Sequence, residues 1–99
     1  MKSLVFLVTV FVVASTAFGA DMVSSAELAK QAKVSLPQAR QIALRIYPGK
    51  IVKEELEQEK GGSGLRYSFD IANGNITHEI GVDARTGKVL EDSVEGEND

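Results

Sequence analysis

The sequence predicts an α+β domain in which one main amphipathic helix, preceded by a short N-terminal helix, packs on a four-stranded antiparallel sheet. Apolar and polar residues alternate over residues 65–71 and again over residues 76–82, as in strands with one buried face. Asn73-Gly74-Asn75 separates the two runs and favours a tight hairpin turn. Upstream, apolar residues recur at helical spacing at Ala39, Ile42, Ala43 and Ile46. The simplest packing places this helix across the apolar face of the sheet.

Residues 1–20 have the features of a secretory signal peptide. Lys2 gives a positive start, Leu4 to Val13 is an almost unbroken apolar run, and small residues follow. We expect cleavage after Gly19 or Ala20 and no membrane insertion of the mature chain. The alternative is an uncleaved anchor, but the run is at the short end of the roughly 17 to 25 residues that a spanning helix needs, and no basic cluster follows it. The sequence therefore predicts an exported protein, periplasmic or extracellular.

Charge and composition argue against several classes of function. The formal net charge is −3 at pH 7, which argues against nucleic acids and anionic membranes as partners, since clustered Lys and Arg carry such binding. The chain has no cysteine and one histidine, so it has neither a disulfide framework nor the usual spacing of zinc ligands. We expect no metal, no cofactor and a fold held by its apolar core.

Two helices are expected before the sheet. Ser24-Ser25-Ala26-Glu27 has the form of a capping box and predicts a short helix to about Lys33, within residues 21–33. Ser35 is the expected N-cap of the main helix, with Pro37 in the first turn, where its missing N–H has no cost. Tyr47-Pro48-Gly49 is expected to end that helix, because proline disfavours helical geometry in the residue before it.

Four strands joined by short turns are expected to follow. Residues 50–59 predict a strand with a solvated far end, and strict alternation would place Ile51 on the face of Lys53. Gly61 to Gly64 is expected to be a hairpin loop. Residues 83–88 predict a tight turn, with Gly87 in the left-handed region and Asp83 bonding the turn amides.

The last strand begins at Val89, and residues 93–99 are expected to form an acidic flexible tail. The face of the sheet away from the helix is expected to be solvated. It carries Arg66, Ser68, Asp70, Thr77, Glu79 and Asp83.

His78 and the Gly87-Lys88 pair resemble functional residues but have structural interpretations. His78 falls on the apolar face, where a packed or edge-exposed strand histidine is the simpler interpretation, and a catalytic role would need a partner that the sequence does not place. Residues 81–88 end like a phosphate loop, but the glycine spacing is one residue too long and Val89 stands where Ser or Thr is required.

An acidic strand end is the most plausible contact surface in the sequence. Glu55, Glu57 and Glu59 share a face of the expected strand. A divalent cation is one possible occupant, but calcium loops have a different spacing, so a solvated acidic strand is the simpler interpretation. The same carboxylates could dock a basic partner. With Gly62 and Ser63 in the adjacent loop, they are the candidate partner contacts.

The order of four segments resembles the PepSY domain: residues 36–44, 47–52, 65–71 and 79–90. The most specific is Val82-Asp83-Ala84-Arg85-Thr86-Gly87-Lys88-Val89, and the resemblance covers residues 34–92. It implies an exported bacterial α+β domain, found alone or in propeptides of thermolysin-type metallopeptidases and proposed to restrain peptidase activity. The family offers no established catalytic residues to carry over. Because no peptidase follows in this sequence, we expect any inhibition to act in trans.

Three functions follow from these observations. The first is a non-enzymatic binding or regulatory module whose protein partner is a peptidase, contacted through an edge strand or hairpin loops. The second is a small-ligand carrier or sensor in the periplasm, which requires an apolar cavity between helix and sheet. The third is an enzyme, which ranks last because no nucleophile, metal set or paired acid has a recognisable spacing. It would gain support if His78 lay beside a buried carboxylate in an open cleft.

Overall fold

A computed structural model describes residues 24–95. In chain order the elements are α1 Ser25–Gln31, α2 Leu36–Ile46, β1 Lys50–Gln58, β2 Leu65–Asn73, β3 Ile76–Asp83 and β4 Val89–Val94. The strands form one antiparallel sheet in the order β1-β2-β3-β4, and α2 packs on β2 and β3. The predicted α+β architecture is therefore confirmed. The predicted signal peptide and residues 96–99 lie outside the described residues.

Both helices begin at the serines that the sequence predicts as caps. Ser24 Oγ accepts a hydrogen bond from the Glu27 N–H at 3.1 Å. Ser35 Oγ accepts from the Gln38 N–H at 3.2 Å, and Gln38 Oε1 accepts from the Ser35 N–H at 3.0 Å. This reciprocal capping box satisfies backbone donors that the first turn leaves unpaired.

The first helix is shorter than predicted and ends at Gln31. The N–H groups of Lys33 and Val34 both donate to the Ala84 carbonyl at 2.9 Å instead of continuing the helix. The connection between the helices is thereby tied to the turn that follows β3.

The core lies between α2 and the two central strands. Ala39 and Ala43 of α2 have no exposed surface, and their small side chains let the helix lie close to the sheet. Phe69, the largest fully buried side chain, lies on β2. The buried apolar residues of the sheet are Leu65, Tyr67, Phe69, Ile71, Ile80 and Val82.

An ion pair joins α2 to the outer strand β1. Arg40 Nε donates to Glu54 Oε1 at 2.9 Å and Arg40 Nη2 donates to Glu54 Oε2 at 2.6 Å. The hydrogen bond to Arg40 lowers the pKa of Glu54. The Arg40 and Glu54 side chains are 41% and 31% exposed, so this two-point contact adds a directional bond at the edge of the sheet but little stability.

Strand β1 contains a bulge that the sequence analysis missed. Ile51 pairs with Ile71, but Lys53 already pairs with Asp70, so Val52 is an extra residue in the ladder. The prediction that Ile51 shares a face with Lys53 is therefore wrong, because the bulge turns Ile51 toward the core side. Val52 is left 55% exposed.

Strand β4 extends beyond Ser93, where the sequence analysis places the start of the flexible tail. Ser93 pairs with Glu79 and Val94 with His78. The Glu95 N–H also donates to the Thr77 carbonyl at 2.8 Å. Continued pairing with β3 is the physical reason that this segment is ordered as a strand.

Asp83, at the end of β3, holds the turn and the first hairpin loop together. Its Oδ1 accepts from the N–H groups of Arg85 at 2.8 Å and Thr86 at 3.1 Å. Ser63 donates through its N–H to Oδ2 at 2.7 Å and through its hydroxyl to Oδ1 at 2.8 Å. The predicted bonding to turn amides is confirmed, and Gly87 has the predicted left-handed φ of 82°.

The expectation that Asp83 is solvated is wrong, because the residue is 1% exposed and its carboxylate is turned toward these donors. Burial raises the pKa of Asp83, but the hydrogen bonds from Ser63, Arg85 and Thr86 outweigh it and lower the pKa to about 2. The carboxylate is therefore ionised in the folded protein at all but very acidic pH.

The Asp83→Asn variant should lower the free energy of unfolding by about 2 kcal/mol or more. In one orientation the asparagine NH₂ group would replace Oδ2 and face the Ser63 N–H. In the other it would replace Oδ1 and lose the hydrogen bonds from Arg85 and Thr86. Either way the negative charge that strengthens each bond is lost. Urea unfolding followed by circular dichroism measures the change.

Asp92→Asn is the matched control, because the Asp92 side chain is 42% exposed and has one recorded polar partner, His78. We expect it to cost less than about 1 kcal/mol. Equal losses in the two variants would contradict the structural role given to Asp83.

Candidate functional site

The face of the sheet opposite the helices is the candidate functional site and is called the open face below. Leu28 of α1 and Ala39 and Ala43 of α2 all belong to the single core on the other face. Side chains directly across an antiparallel pair share a face, and the register therefore assigns the members of the open face. They are Lys50, Lys53, Glu55, Glu57, Arg66, Ser68, Asp70, Ala72, Thr77, Glu79, Gly81, Asp83, Glu91, Ser93 and Glu95.

Arg66 fills one end of the open face. Its Nη1 donates to Glu91 Oε1 at 3.0 Å and its Nη2 to the Lys60 carbonyl at 3.1 Å. Gly81 makes room for the guanidinium, since a Cβ there would lie 3.1 Å from Nη1. The expectation that Arg66 is solvated is wrong, because the side chain is 9% exposed. Its Nε is buried without an acceptor among residues 24–95.

Ser68 and Glu57 form a second polar contact beside Arg66. Ser68 Oγ donates to Glu57 Oε2 at 2.7 Å. Ser68 is 8% exposed, so its predicted solvation is also wrong. The longer side chains of the neighbouring strands cover the short serine.

Three carboxylates converge at the other end of the open face. Asp70, Glu79 and Glu95 each place one carboxylate oxygen so that all three oxygens lie within 4.8 Å of one another. Asp70 pairs directly with Glu79 across β2 and β3. Glu95 reaches the same place because the backbone after β4 stays bonded to β3.

Crowding and burial change the acidity of this group. Burial raises the pKa of Asp70 to about 7, with further contributions from Glu95 and Glu55 and an opposing one from Lys53. Burial likewise raises the pKa of Glu79 to about 7, and neighbouring carboxylates add to the effect. Both causes disfavour the charged form. Protons are therefore exchanged on this face near neutral pH.

These three carboxylates could also supply oxygen ligands to a hard divalent cation. The sequence predicts Asp70 and Glu79 on the polar face but does not predict that they converge with Glu95. The alternation of polar and apolar residues in β2 and β3 identifies the face of Asp70 and Glu79. Glu95 falls in the predicted tail, so the sequence gives no sign that it joins them. Only the strand register brings the three together.

The predicted partner contacts divide between the open face and the neighbouring loop. Glu55 and Glu57 lie on the open face, across from Ser68 and Arg66. Glu59 follows β1, and burial raises its pKa, with Glu57 adding to the effect. Glu57 and Glu59 therefore lie close enough to repel each other when both are ionised.

Gly62 and Ser63, proposed as partner contacts, have roles inside the domain. Ser63 is bonded to Asp83 through both its N–H and its hydroxyl. Gly62 has a φ of 55°, and a Cβ there would lie 2.9 Å from Leu90 Cδ1. The loop backbone is therefore fixed by packing, whatever it contacts outside.

His78 lies on the helix side of the sheet in a stacked arrangement. The Tyr47 and His78 rings are 3.7 Å apart at an angle of 9°, and Tyr47 donates from its hydroxyl to the Ile76 carbonyl at 3.0 Å. His78 Nδ1 is 2.7 Å from Asp92 Oδ1. These contacts join the end of α2 to β3 and β4, which supports the structural interpretation of His78.

The profile of the PepSY family, described as "Peptidase propeptide and YPEB domain", matches residues 33–92. The chain belongs to the PepSY family. The match includes α2, the first three strands and the start of β4, so the resemblance found in the sequence is confirmed. The comparisons with curated proteins and with solved structures gave no match. Within residues 24–95, the helices of this PepSY domain are too short or too polar to cross a membrane.

The stability of the PepSY domain should fall as pH rises from about 5 to about 8. Asp70 and Glu79 have pKa values near 7 in the folded protein, against about 4 in an unfolded chain. The folded state therefore binds more protons over this range, and its advantage disappears as pH passes the folded pKa. Urea unfolding at a series of pH values measures the slope.

The Asp70→Asn and Glu79→Gln double variant should flatten this slope and be more stable than the natural protein above about pH 7. Glu27→Gln removes an exposed carboxylate of α1, away from both His78 and the open face, and should leave the slope unchanged. Stability that rises from about pH 5 to 8, or a double variant with an unaltered slope, would contradict the assignment.

Proposed function

We propose that this PepSY domain is an exported, non-enzymatic binding module that restrains a peptidase in the cell envelope or outside the cell. The observation that carries the proposal is the match to a peptidase-propeptide family over the main helix and most of the sheet. A propeptide domain restrains its enzyme by contact, so the role needs a rigid surface and no chemistry of its own.

The fold supplies the rigidity that such a contact needs. Asp83 fixes the Ser63 loop, Arg40 fixes α2 to Glu54, and the central strands are fully packed. A surface that is ordered before binding loses less conformational freedom on association. The outer strands β1 and β4 and the open face are the parts of this scaffold available to a partner.

The packing of the core does not favour the carrier or sensor hypothesis. That function requires an apolar cavity between α2 and the sheet. Ala39 and Ala43 on the helix and Phe69 and Ile80 on the sheet have no exposed surface at all. The protein's own side chains therefore fill the space in which a ligand would have to lie.

The surroundings of His78 do not favour an enzyme. An acid–base role would gain support from a buried carboxylate in an open cleft. The carboxylate beside His78 is Asp92, which is 42% exposed, and the Tyr47 ring stacks on the imidazole. The pair is better suited to holding the end of α2 against the sheet.

The protein should inhibit a thermolysin-type metallopeptidase in a saturable manner at micromolar concentration. Initial rates of peptide hydrolysis measure the inhibition, and gel electrophoresis of the same samples shows whether the PepSY chain stays intact. A serine peptidase assayed in parallel is the control, and it should keep its full rate. Unchanged metallopeptidase rates with no complex in a sedimentation experiment would contradict the proposal. Inhibition that disappears as the peptidase digests the PepSY chain would also contradict it, because the chain would then be a competing substrate.

A further inference from the structure

The open face has no covering layer within residues 24–95, although it is as wide as the face that α2 covers. We propose that the open face is a docking surface for a polypeptide segment that presents Lys and Arg side chains. This inference deepens the proposed function and rests on it for the premise that the chain binds a protein. It assigns both the surface and the chemistry of the partner.

Charge is the first argument. Carboxylates outnumber basic side chains on the open face, where the basic residues are Lys50, Lys53 and Arg66. Arg66 is buried and bonded to Glu91 and the Lys60 carbonyl, and Lys53 Nζ lies 3.7 Å from Glu55 Oε2. At the other end, the three carboxylates of Asp70, Glu79 and Glu95 share the face with Lys50 and Lys53, so negative charge still exceeds positive charge there.

Crowding is the second argument. The three carboxylates lie within 4.8 Å of one another in a half-buried position. Asp70 is faced by Glu95 from the end of β4 and by Lys53 and Glu55 from β1. Glu79 is faced by Glu91, Glu95, Asp70 and Glu57. An added cationic side chain would offset this repulsion and favour release of the protons that the group holds.

Spacing is the third argument. Same-face residues on a strand repeat at about 7 Å, and neighbouring strands lie about 4.8 Å apart, so the carboxylates form a grid. Alternate side chains of an extended peptide repeat at the same distance of about 7 Å. An extended segment could therefore place one Lys or Arg side chain on the group formed by Asp70, Glu79 and Glu95 and another on Glu55 or Glu57 of β1.

The size of the surface suits a transient contact. Four strands of about eight residues cover an area of about 19 by 26 Å, or about 500 Å². That is the contribution of one partner to a small, short-lived interface, which is the class that depends most on charge complementarity for its rate of association.

The test uses a synthetic peptide of alternating Lys and Ser, with the same peptide acetylated on every lysine as its uncharged control. Backbone amide shifts of the isotope-labelled protein are recorded by NMR at low ionic strength and a pH above the titration of the face. We expect saturable shifts that cluster on β2, β3 and Glu95 with the charged peptide and none with the acetylated one.

Two double variants of equal charge separate a docking surface from net charge. Asp70→Asn with Glu79→Gln should weaken binding at least about fivefold, whereas Glu27→Gln with Asp92→Asn should change it less than about twofold. The first pair relieves repulsion and so should fold. Equal weakening by both pairs, or shifts spread over acidic residues of both faces, would overturn the inference.

A divalent cation is the competing occupant of Asp70, Glu79 and Glu95. If about 1 mM calcium saturates these residues and abolishes peptide binding at constant ionic strength, the face is a metal site and the inference is overturned. Peptide binding that persists in calcium supports it.

The metallopeptidase assay distinguishes failure of this inference from failure of the proposed function. Inhibition that is equally strong in the Asp70→Asn, Glu79→Gln variant would support the inhibitory function and contradict the docking surface. Specific binding of the lysine peptide without inhibition of the peptidase would support the docking surface and contradict the inhibitory function.

Discussion

The structure depends on one constraint, which is that the sheet has apolar side chains on one face only. Leu65, Tyr67, Phe69 and Ile71 all point to the same side of β2 because side chains alternate along a strand. One helix is enough to cover them, and the small residues Ala39 and Ala43 allow it to lie close. The opposite face then has to be polar, and its residues are free to differ without loss of the core.

A core of this size leaves a small margin of stability in a chain without cysteine, because small single cores rarely supply more than about 3–5 kcal/mol. Polar contacts at the edges therefore matter more than they would in a larger domain. Asp83 joins the Ser63 loop to the turn after β3, and Arg40 joins α2 to Glu54. These contacts set the positions of the loop and helix relative to the sheet. They also explain why Gly62 and Ser63 are better understood as parts of the scaffold than as contact residues.

The sequence predicts the features that depend on local chemistry. The serine caps at Ser24 and Ser35, the turn at Gly74 and the turn between Asp83 and Gly87 each follow from a few adjacent residues, and each is present. The bulge at Val52 does not follow, because nothing in the alternation of that strand marks an extra residue. Strict alternation therefore assigned Ile51 to the wrong face.

The candidate site depends on contacts between distant parts of the chain, which is why less of it could be predicted. Glu55 and Glu57 were found because they are neighbours in one strand. Asp70, Glu79 and Glu95 come from three parts of the chain, and their convergence requires the register of β3 with both neighbours. The burial of Arg66 depends on Gly81, which lies across the strand pair and 15 positions along the sequence. Such pairings follow from the register and not from local pattern.

Asp70 and Glu79 are crowded and half buried on a face that nothing else in residues 24–95 covers, and the proposed docking surface depends on this arrangement. Carbon-13 NMR of the side-chain carboxyl groups through a pH titration measures this at each residue. The account predicts that both carboxyls titrate near pH 7 and that each changes its midpoint when the other is replaced by its amide. Midpoints near 4, the ordinary value for a solvated carboxyl, would contradict it.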